Sequence, residues 1–231
     1  MSVSILYYKV TPERISSAQL SEQFAAWYAD GLEELPPEKQ IQINKLHQQK
    51  DRVLSLAGLQ LLKQAMQDFP SIPFSLSQLQ FPEQGKPFFA ADFDFNISHS
   101  GNLVCCIASD SHQVGIDIEQ QRQVKQATIN KYLHESASPP GSLNNAEDKQ
   151  TTFFKLWTKY EAIIKAANNG SIFNMKDIRL EAKGGYFRNQ FWYTYPVDIM
   201  AGDHNTKYTC HIACSDNITE QDMTIRQIHE L

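Results

Sequence analysis

Long hydrophobic runs are missing from this 231-residue chain; none approaches the ~20 apolar residues that a membrane-spanning helix needs. Cysteine is scarce: four in all, two adjacent at Cys105 and Cys106, two flanking a tripeptide at Cys210 and Cys214. So few exclude a disulfide-built scaffold and read as buried thiols in a reducing compartment. A zinc site from Cys210, His211 and Cys214 is the alternative, but Cys-His-x-x-Cys departs from the usual ligand spacings. Positive charge is in deficit: 21 Lys and Arg against 26 Asp and Glu leave a net charge of −5. Bulk nucleic-acid binding normally shows a basic footprint, so this balance argues against it. A local basic pocket for a nucleotide stays open. The opening stretch, residues 1–14, lacks the basic and apolar regions of a signal peptide, so a cytoplasmic location is the expectation.

What is present describes an ordinary globular chain, 42% hydrophobic and 20% charged. Its length sits near the size at which one core begins to divide in two. Residues 3–10 read as a strand and 18–30 as an amphipathic helix. A second helix begins after Pro36-Pro37, and a longer one spans 51–69 with Leu54, Leu61, Leu62, Ala65 and Met66 in helical periodicity. Strands follow around 93–97, 103–109 and 114–118, then a helix over 124–133. Residues 135–150 are polar and rich in Pro, Gly, Ser and Asn, which predicts a surface loop. The helix 152–167 closes at Asn168-Asn169-Gly170. Beyond it the pattern alternates as strands near 178–182, 191–197, 207–214 and 223–228. Each half thus reads as helix followed by strands, with the boundary at 112/113, giving halves 1–112 and 113–231.

Two stretches carry chemistry. One runs from Phe95 to Glu119 and ends in Asp117 and Glu119, two carboxylates at i, i+2 on a strand. Such side chains share a face, their Cα atoms roughly 6.6 Å apart. Val114, Ile116 and Ile118 fall on the other face and are free to be buried. Paired acids beside an apolar strand make a half-site for a hard divalent cation, with a phosphate as the natural anionic substrate. The other stretch, Phe153–Ala166, adds Glu161 and Lys165 on a helix. Blander readings stand beside these: a solvated strand face for the acids, a surface ion pair worth ~0.3–0.5 kcal/mol for Glu161 and Lys165, and a merely exposed side chain for His99.

Four short motifs in order link these pieces: Gly85-Lys86-Pro87; Asn96-Ile97-Ser98-His99-Ser100; Gly115-Ile116-Asp117-Ile118-Glu119; and Trp157, Glu161, Ala162 and Lys165 in a W-x-x-x-E-A-x-x-K pattern. Together they resemble the 4′-phosphopantetheinyl transferases of the larger, surfactin-synthetase-activating class. The likeness is concentrated in residues 85–165. It implies an α+β fold of two similar halves, a pseudo-dimer with the active site in the cleft between them. It implies Mg²⁺-dependent transfer of the phosphopantetheine arm of coenzyme A to a serine of an apo acyl or peptidyl carrier protein. The products are holo carrier protein and adenosine 3′,5′-bisphosphate, and the class tends to be monomeric.

By the same resemblance Asp117, Glu119 and Glu161 hold the metal, and Glu161, Lys165 and Asp117 serve the chemistry. Lys86, Ser98, His99, Lys165 and Arg52 meet coenzyme A, His99 near its 3′-phosphate. Trp157 reads as packing. The chain departs from the pattern in three places. Tyr160 stands where a lysine usually precedes the glutamate, with Lys159 one residue earlier; Tyr160 could hydrogen-bond a phosphate instead. Leu54 stands where an arginine is expected after Asp51, leaving Arg52 out of register. Ala137 aligns with a glutamate that can act as base, with Glu135 close by, so proton removal is assigned to Glu161 or a metal-bound water. Carrier docking is assigned to the loop 134–150 and the surface before the 152–167 helix.

Overall fold

The computed structural model describes residues 3–11, 22–72, 75–83, 85–135, 146–168, 172–199 and 206–231. Its strands are β1 (Val3–Lys9), β2 (Asp94–Ser100), β3 (Leu103–Ser109), β4 (Val114–Gln120), β5 (Arg179–Glu181), β6 (Gly184–Phe187), β7 (Gln190–Pro196), β8 (Tyr208–Cys214) and β9 (Met223–Ile228). Its helices are α1 (Glu22–Glu33), α2 (Pro37–Asn44), α3 (Gln49–Met66), α4 (Gln126–Glu135) and α5 (Ala146–Ala166). The fold is α+β, as the resemblance implies. One sheet has the order β2-β3-β1-β9 and the other β4-β8-β7-β6-β5.

Period-two alternation decides which element meets which. Leu6, Tyr8 and Val10, with Val104, Cys106 and Ala108, face α3 and share a core with its Leu54, Leu61 and Leu62. The alternate residues Val3, Ile5, Tyr7, Leu103, Cys105 and Ile107 face the second sheet. There they meet Val114, Ile116, Ile118, Cys210, Ile212 and Cys214. On the far side of the second sheet, α5 contributes Tyr160, Ile163 and Ile164 to a core with Phe187 and Trp192. The layers therefore run helix, sheet, sheet, helix.

Both β2 and β4 are edge strands, and they join without a backbone ladder. Polar side chains at alternate positions of β2 accept from the free N–H groups of β4: Asp94 from Val114 at 2.8 Å, Asn96 from Ile116 at 3.0 Å, Ser98 from Ile118 at 3.4 Å and Ser100 from Gln120 at 3.0 Å. An edge that would otherwise expose unpaired donors is closed from within the chain. The same contact fixes the register of the site, because Ser98 comes level with Asp117.

Several expectations shift. Residues 146–150 are helical, the first turn of α5, where the composition predicts loop; 136–145 lie outside the described residues, as does most of the expected docking loop. The helix expected at 124–133 is Gln126–Glu135. Strand β6 was not expected, and β9 leaves the second half to pair in parallel with β1, from Val3↔Met223 to Tyr8↔Ile228. All four cysteines are free and buried. Parity rules out the zinc alternative: Cys210 and Cys214 face the first sheet, while His211 between them faces α5. No helix among the described residues is long and apolar enough to cross a membrane.

Candidate active site

Gly115 sets helix α5 against strand β4. A Cβ there would run into the Ala162 carbonyl and the Ala166 nitrogen, so only glycine lets the helix backbone approach so closely. That approach brings Lys165 over Asp117. The Lys165 ammonium lies 2.6 Å from Asp117 Oδ1 and donates to Ser98 Oγ at 3.0 Å; Ser98 in turn donates to Asp117 at 3.1 Å. Glu119 accepts from Ser100 at 2.8 Å and from Arg122 at 3.1 Å, both at Oε2.

Ser98, His99, Asp117, Glu119, Glu161 and Lys165 line a cavity of about 320 Å³. Its walls come from β2 of one sheet, β4 of the other, and α5. Burial raises the Asp117 pKa above the ordinary carboxylate value, against the pull of Lys165 and Ser98. Burial likewise raises that of Glu161, helped by the charges of Asp117 and Glu119 and opposed by Lys165. The cavity thus gathers Asp117, Glu119 and Glu161, and the raised pKa values of Asp117 and Glu161 mark a site that favours positive charge. His99 sits at the open mouth, its pKa lowered by surrounding protein and by Lys165.

Whether the donor set suits a hard cation can be asked of one atom. Asp117 Oδ2 is buried without a hydrogen-bond partner among the described residues, an orphan acceptor that a cation would satisfy. Even so, no three acids, histidines or cysteines among the described residues stand close enough together to form a ready metal cluster. Lys165 takes up the charge of Asp117, and Arg122 that of Glu119. What fits a hard cation is therefore Asp117 Oδ2, with Glu119 and Glu161 lining the same cavity.

A second cavity of about 210 Å³ adjoins the first through Ile97 and His99, and is lined by Lys39, Ser55, Lys86, Pro87 and Phe95 among others. Lys86 is held hard: its ammonium pairs with Asp94 at 2.6 Å and donates to the Val114 carbonyl at 2.8 Å. Gly85, at φ 103°, makes the turn before it, and the Lys86 N–H donates to Asn168 Oδ1 at 2.7 Å. Lys39, whose burial lowers its pKa, is a cation that sequence reasoning missed; a single lysine in a polar helix gives no signal. Arg52 lines neither cavity and lies beside Tyr28. A third cavity of about 200 Å³, bounded by Glu119, Arg122, Val124, Thr128, Phe153, Phe154 and Trp157, opens beside the acids.

Trp157 packs on Phe153, their rings 5.7 Å apart, as expected of a packing residue, and it also walls the first and third cavities. Tyr160 is buried in the core of the second half, not lining the acid cavity. It immediately precedes Glu161, and a step of one residue turns a side chain about 100° around a helix, so it points into the core and away from that cavity. Lys159 does not line the cavity either. Ala137 lies outside the described residues, as does the side chain of Glu135.

Comparison with known proteins covers both halves. Residues 23–112 match the family model for the N-terminal part of 4′-phosphopantetheinyl transferases, and 113–213 match that of the 4′-phosphopantetheinyl transferase superfamily. The chain is 30% identical over 188 residues to the 4′-phosphopantetheinyl transferase gsp of Aneurinibacillus migulanus, covering 79% of this chain and 77% of that one. It is 26% identical to 4′-phosphopantetheinyl transferase Sfp of Bacillus subtilis, over 71% of this chain and 70% of the relative. Mouse L-aminoadipate-semialdehyde dehydrogenase-phosphopantetheinyl transferase is 27% identical over 65% of this chain, which spans 53% of that longer protein.

Proposed function

Because this chain belongs to the 4′-phosphopantetheinyl transferase superfamily, we infer that it moves the phosphopantetheine arm of coenzyme A to a serine of an apo carrier protein. The observation that carries the reading is the 320 Å³ cavity in which Ser98, His99, Asp117, Glu119, Glu161 and Lys165 converge. The products are holo carrier protein and adenosine 3′,5′-bisphosphate. We place the division of the halves at 112/113, a pseudo-dimer with its active site in the cleft, with β9 lent to the first sheet. A cytoplasmic monomer is part of the same proposal.

In this reading Asp117, Glu119 and Glu161 hold Mg²⁺, which when bound neutralises pyrophosphate charge and makes phosphorus more electrophilic. Lys165, at the rim of the carboxylates, takes a phosphate oxygen and steadies the leaving group. Glu161 accepts the proton of the carrier serine, directly or through water. The serine oxygen forms a bond to the phosphorus that bears the arm. The bond from that phosphorus to the bridging oxygen breaks, and adenosine 3′,5′-bisphosphate leaves with the electron pair. His99 and Lys86 belong to the nucleotide end, where the 210 Å³ cavity adds Lys39 as a phosphate partner. Arg52 lies apart from it and is given no ligand role. Positioning and electrostatics supply most of the acceleration in such a transfer.

The test is product analysis. With Mg²⁺, coenzyme A and an apo carrier protein, adenosine 3′,5′-bisphosphate is expected in step with loss of free carrier, and a chelator stops both. Nucleotide release without carrier modification would instead indicate a hydrolase.

A further inference from the structure

His211 is a buried imidazole that the transfer scheme does not use. It lies on β8 directly opposite Asp117 on β4, and both side chains point toward α5. Its Nδ1 is 2.7 Å from the hydroxyl oxygen of Thr158, a residue of α5 with no exposed surface. The same hydroxyl donates to the Phe154 carbonyl at 2.8 Å. A hydroxyl has one proton and a carbonyl can only accept. The proton therefore goes to Phe154, and Nδ1 must carry the hydrogen that reaches Thr158. The arrangement fixes one tautomer of a neutral ring, which burial and the nearby charges of Lys159 and Lys155 keep neutral.

Thr158 precedes Glu161 by three residues and Lys165 by seven, so all three share one face of the helix. The polar tie at the far end, from Lys165 to Asp117 and Ser98, is made of groups that turnover itself recruits. The tie from Thr158 to His211 is not. Neither residue lines the acid cavity. We propose that the hydrogen bond from His211 to Thr158 is the fixed anchor of α5 that holds Glu161 at its working angle while Lys165 and Asp117 are engaged with substrate. These are positioning residues; they act through Glu161. The inference rests on the transferase reading.

Two measurements on the full chain test it. Thr158→Val keeps the shape and removes the hydroxyl, while Thr158→Ser keeps the hydroxyl. The valine variant should lose about 10–100-fold in kcat with its KM for coenzyme A within about two-fold of wild type, the signature of lost alignment rather than lost binding. The serine variant should recover most of the rate. Equal kcat in wild type and T158V, or equal loss in T158S and T158V, overturns the inference. His211→Asn, which keeps a donor near Nδ1, should outperform His211→Leu; equal rates in those two also overturn it. Long-range ¹⁵N spectra of the histidine rings should show His211 protonated at Nδ1. Protonation at Nε2 overturns the inference even if wild-type protein transfers nothing, in which case the transferase reading falls separately.

Discussion

Lys165 reaches 2.6 Å from Asp117, tying helix α5 to strand β4 across the cavity where the acids gather. The pair explains how a carboxylate with 5% of its surface exposed can sit there: a charge out of water must be paired. It also joins the residue read as a metal ligand to the residue read as a phosphate ligand. Binding of cation and pyrophosphate would give each its own partner.

Asp117→Asn separates stability from activity. Burial holds the Asp117 pKa above its unfolded value, so the folded state favours the protonated acid and this group's contribution is lost as pH rises through the folded pKa. At neutral pH the neutral amide should leave the melting temperature unchanged or higher. Transfer should fall by about 10²–10³-fold, the scale of removing one preorganised electrostatic group. Parallel thermal melts and rate assays check both halves of the expectation.

The acid limb of the rate profile should belong to Glu161. Glu161 must be ionised to accept a proton; burial raises its pKa in the empty site, and a bound cation would pull it back down. The kcat/KM should rise with pH as Glu161 ionises and level off above that. Glu161→Gln should be slow at every pH and lose this limb. A limb retained in Glu161→Gln would move proton removal elsewhere.

Much of this was legible in the sequence because it is periodic. The alternation Val114, Ile116, Ile118 against Asp117, Glu119 defined both faces of β4 before any coordinates, and Glu161 and Lys165 declared one helix face. The α+β class came with the resemblance that the four ordered motifs carry. Tyr160 misled because its hydroxyl sits beside Glu161 in sequence, whereas the helix turns it into the core with Ile163 and Ile164. The β1–β9 pairing joins residues more than two hundred positions apart, and no local pattern encodes such a contact. The polar alternation Asp94, Asn96, Ser98, Ser100 was visible, but not that its partner would be the backbone of β4.

Gly115→Ala should damage both fold and rate. The added methyl meets helix backbone, which cannot rotate away. Overpacking of this kind costs about 1–3 kcal/mol, and the displaced helix carries Glu161 and Lys165 with it. Urea unfolding and kcat together measure the effect; a variant with wild-type stability would contradict the close approach.

Lys86→Met probes whether that lysine does more than brace the fold. Its ammonium is largely buried on Asp94 and the Val114 carbonyl, so losing it should cost about 1–3 kcal/mol after allowing for the partial exposure of Asp94. If Lys86 also meets the nucleotide, KM for coenzyme A rises in the surviving folded protein. An unchanged KM would confine Lys86 to the brace.

His211 predicts a stability slope in acid. Its pKa is pushed down to about 3 by burial and by Lys159 and Lys155, while the unfolded ring titrates near 6.5. Between those values the unfolded chain binds the extra proton, so this stabilising contribution is lost as pH falls, by up to about 1.4 kcal/mol per unit. Urea midpoints from pH 7 to pH 4 should show the decline, and His211→Asn should flatten it.

The most direct test of the central claim is the intact mass of an apo carrier protein incubated with this chain, coenzyme A and Mg²⁺. The account predicts a gain of one phosphopantetheine on the carrier serine, absent when the metal is chelated and far slower to accumulate when Asp117 is replaced. An unchanged mass across acyl and peptidyl carriers, with the chain folded, would contradict it.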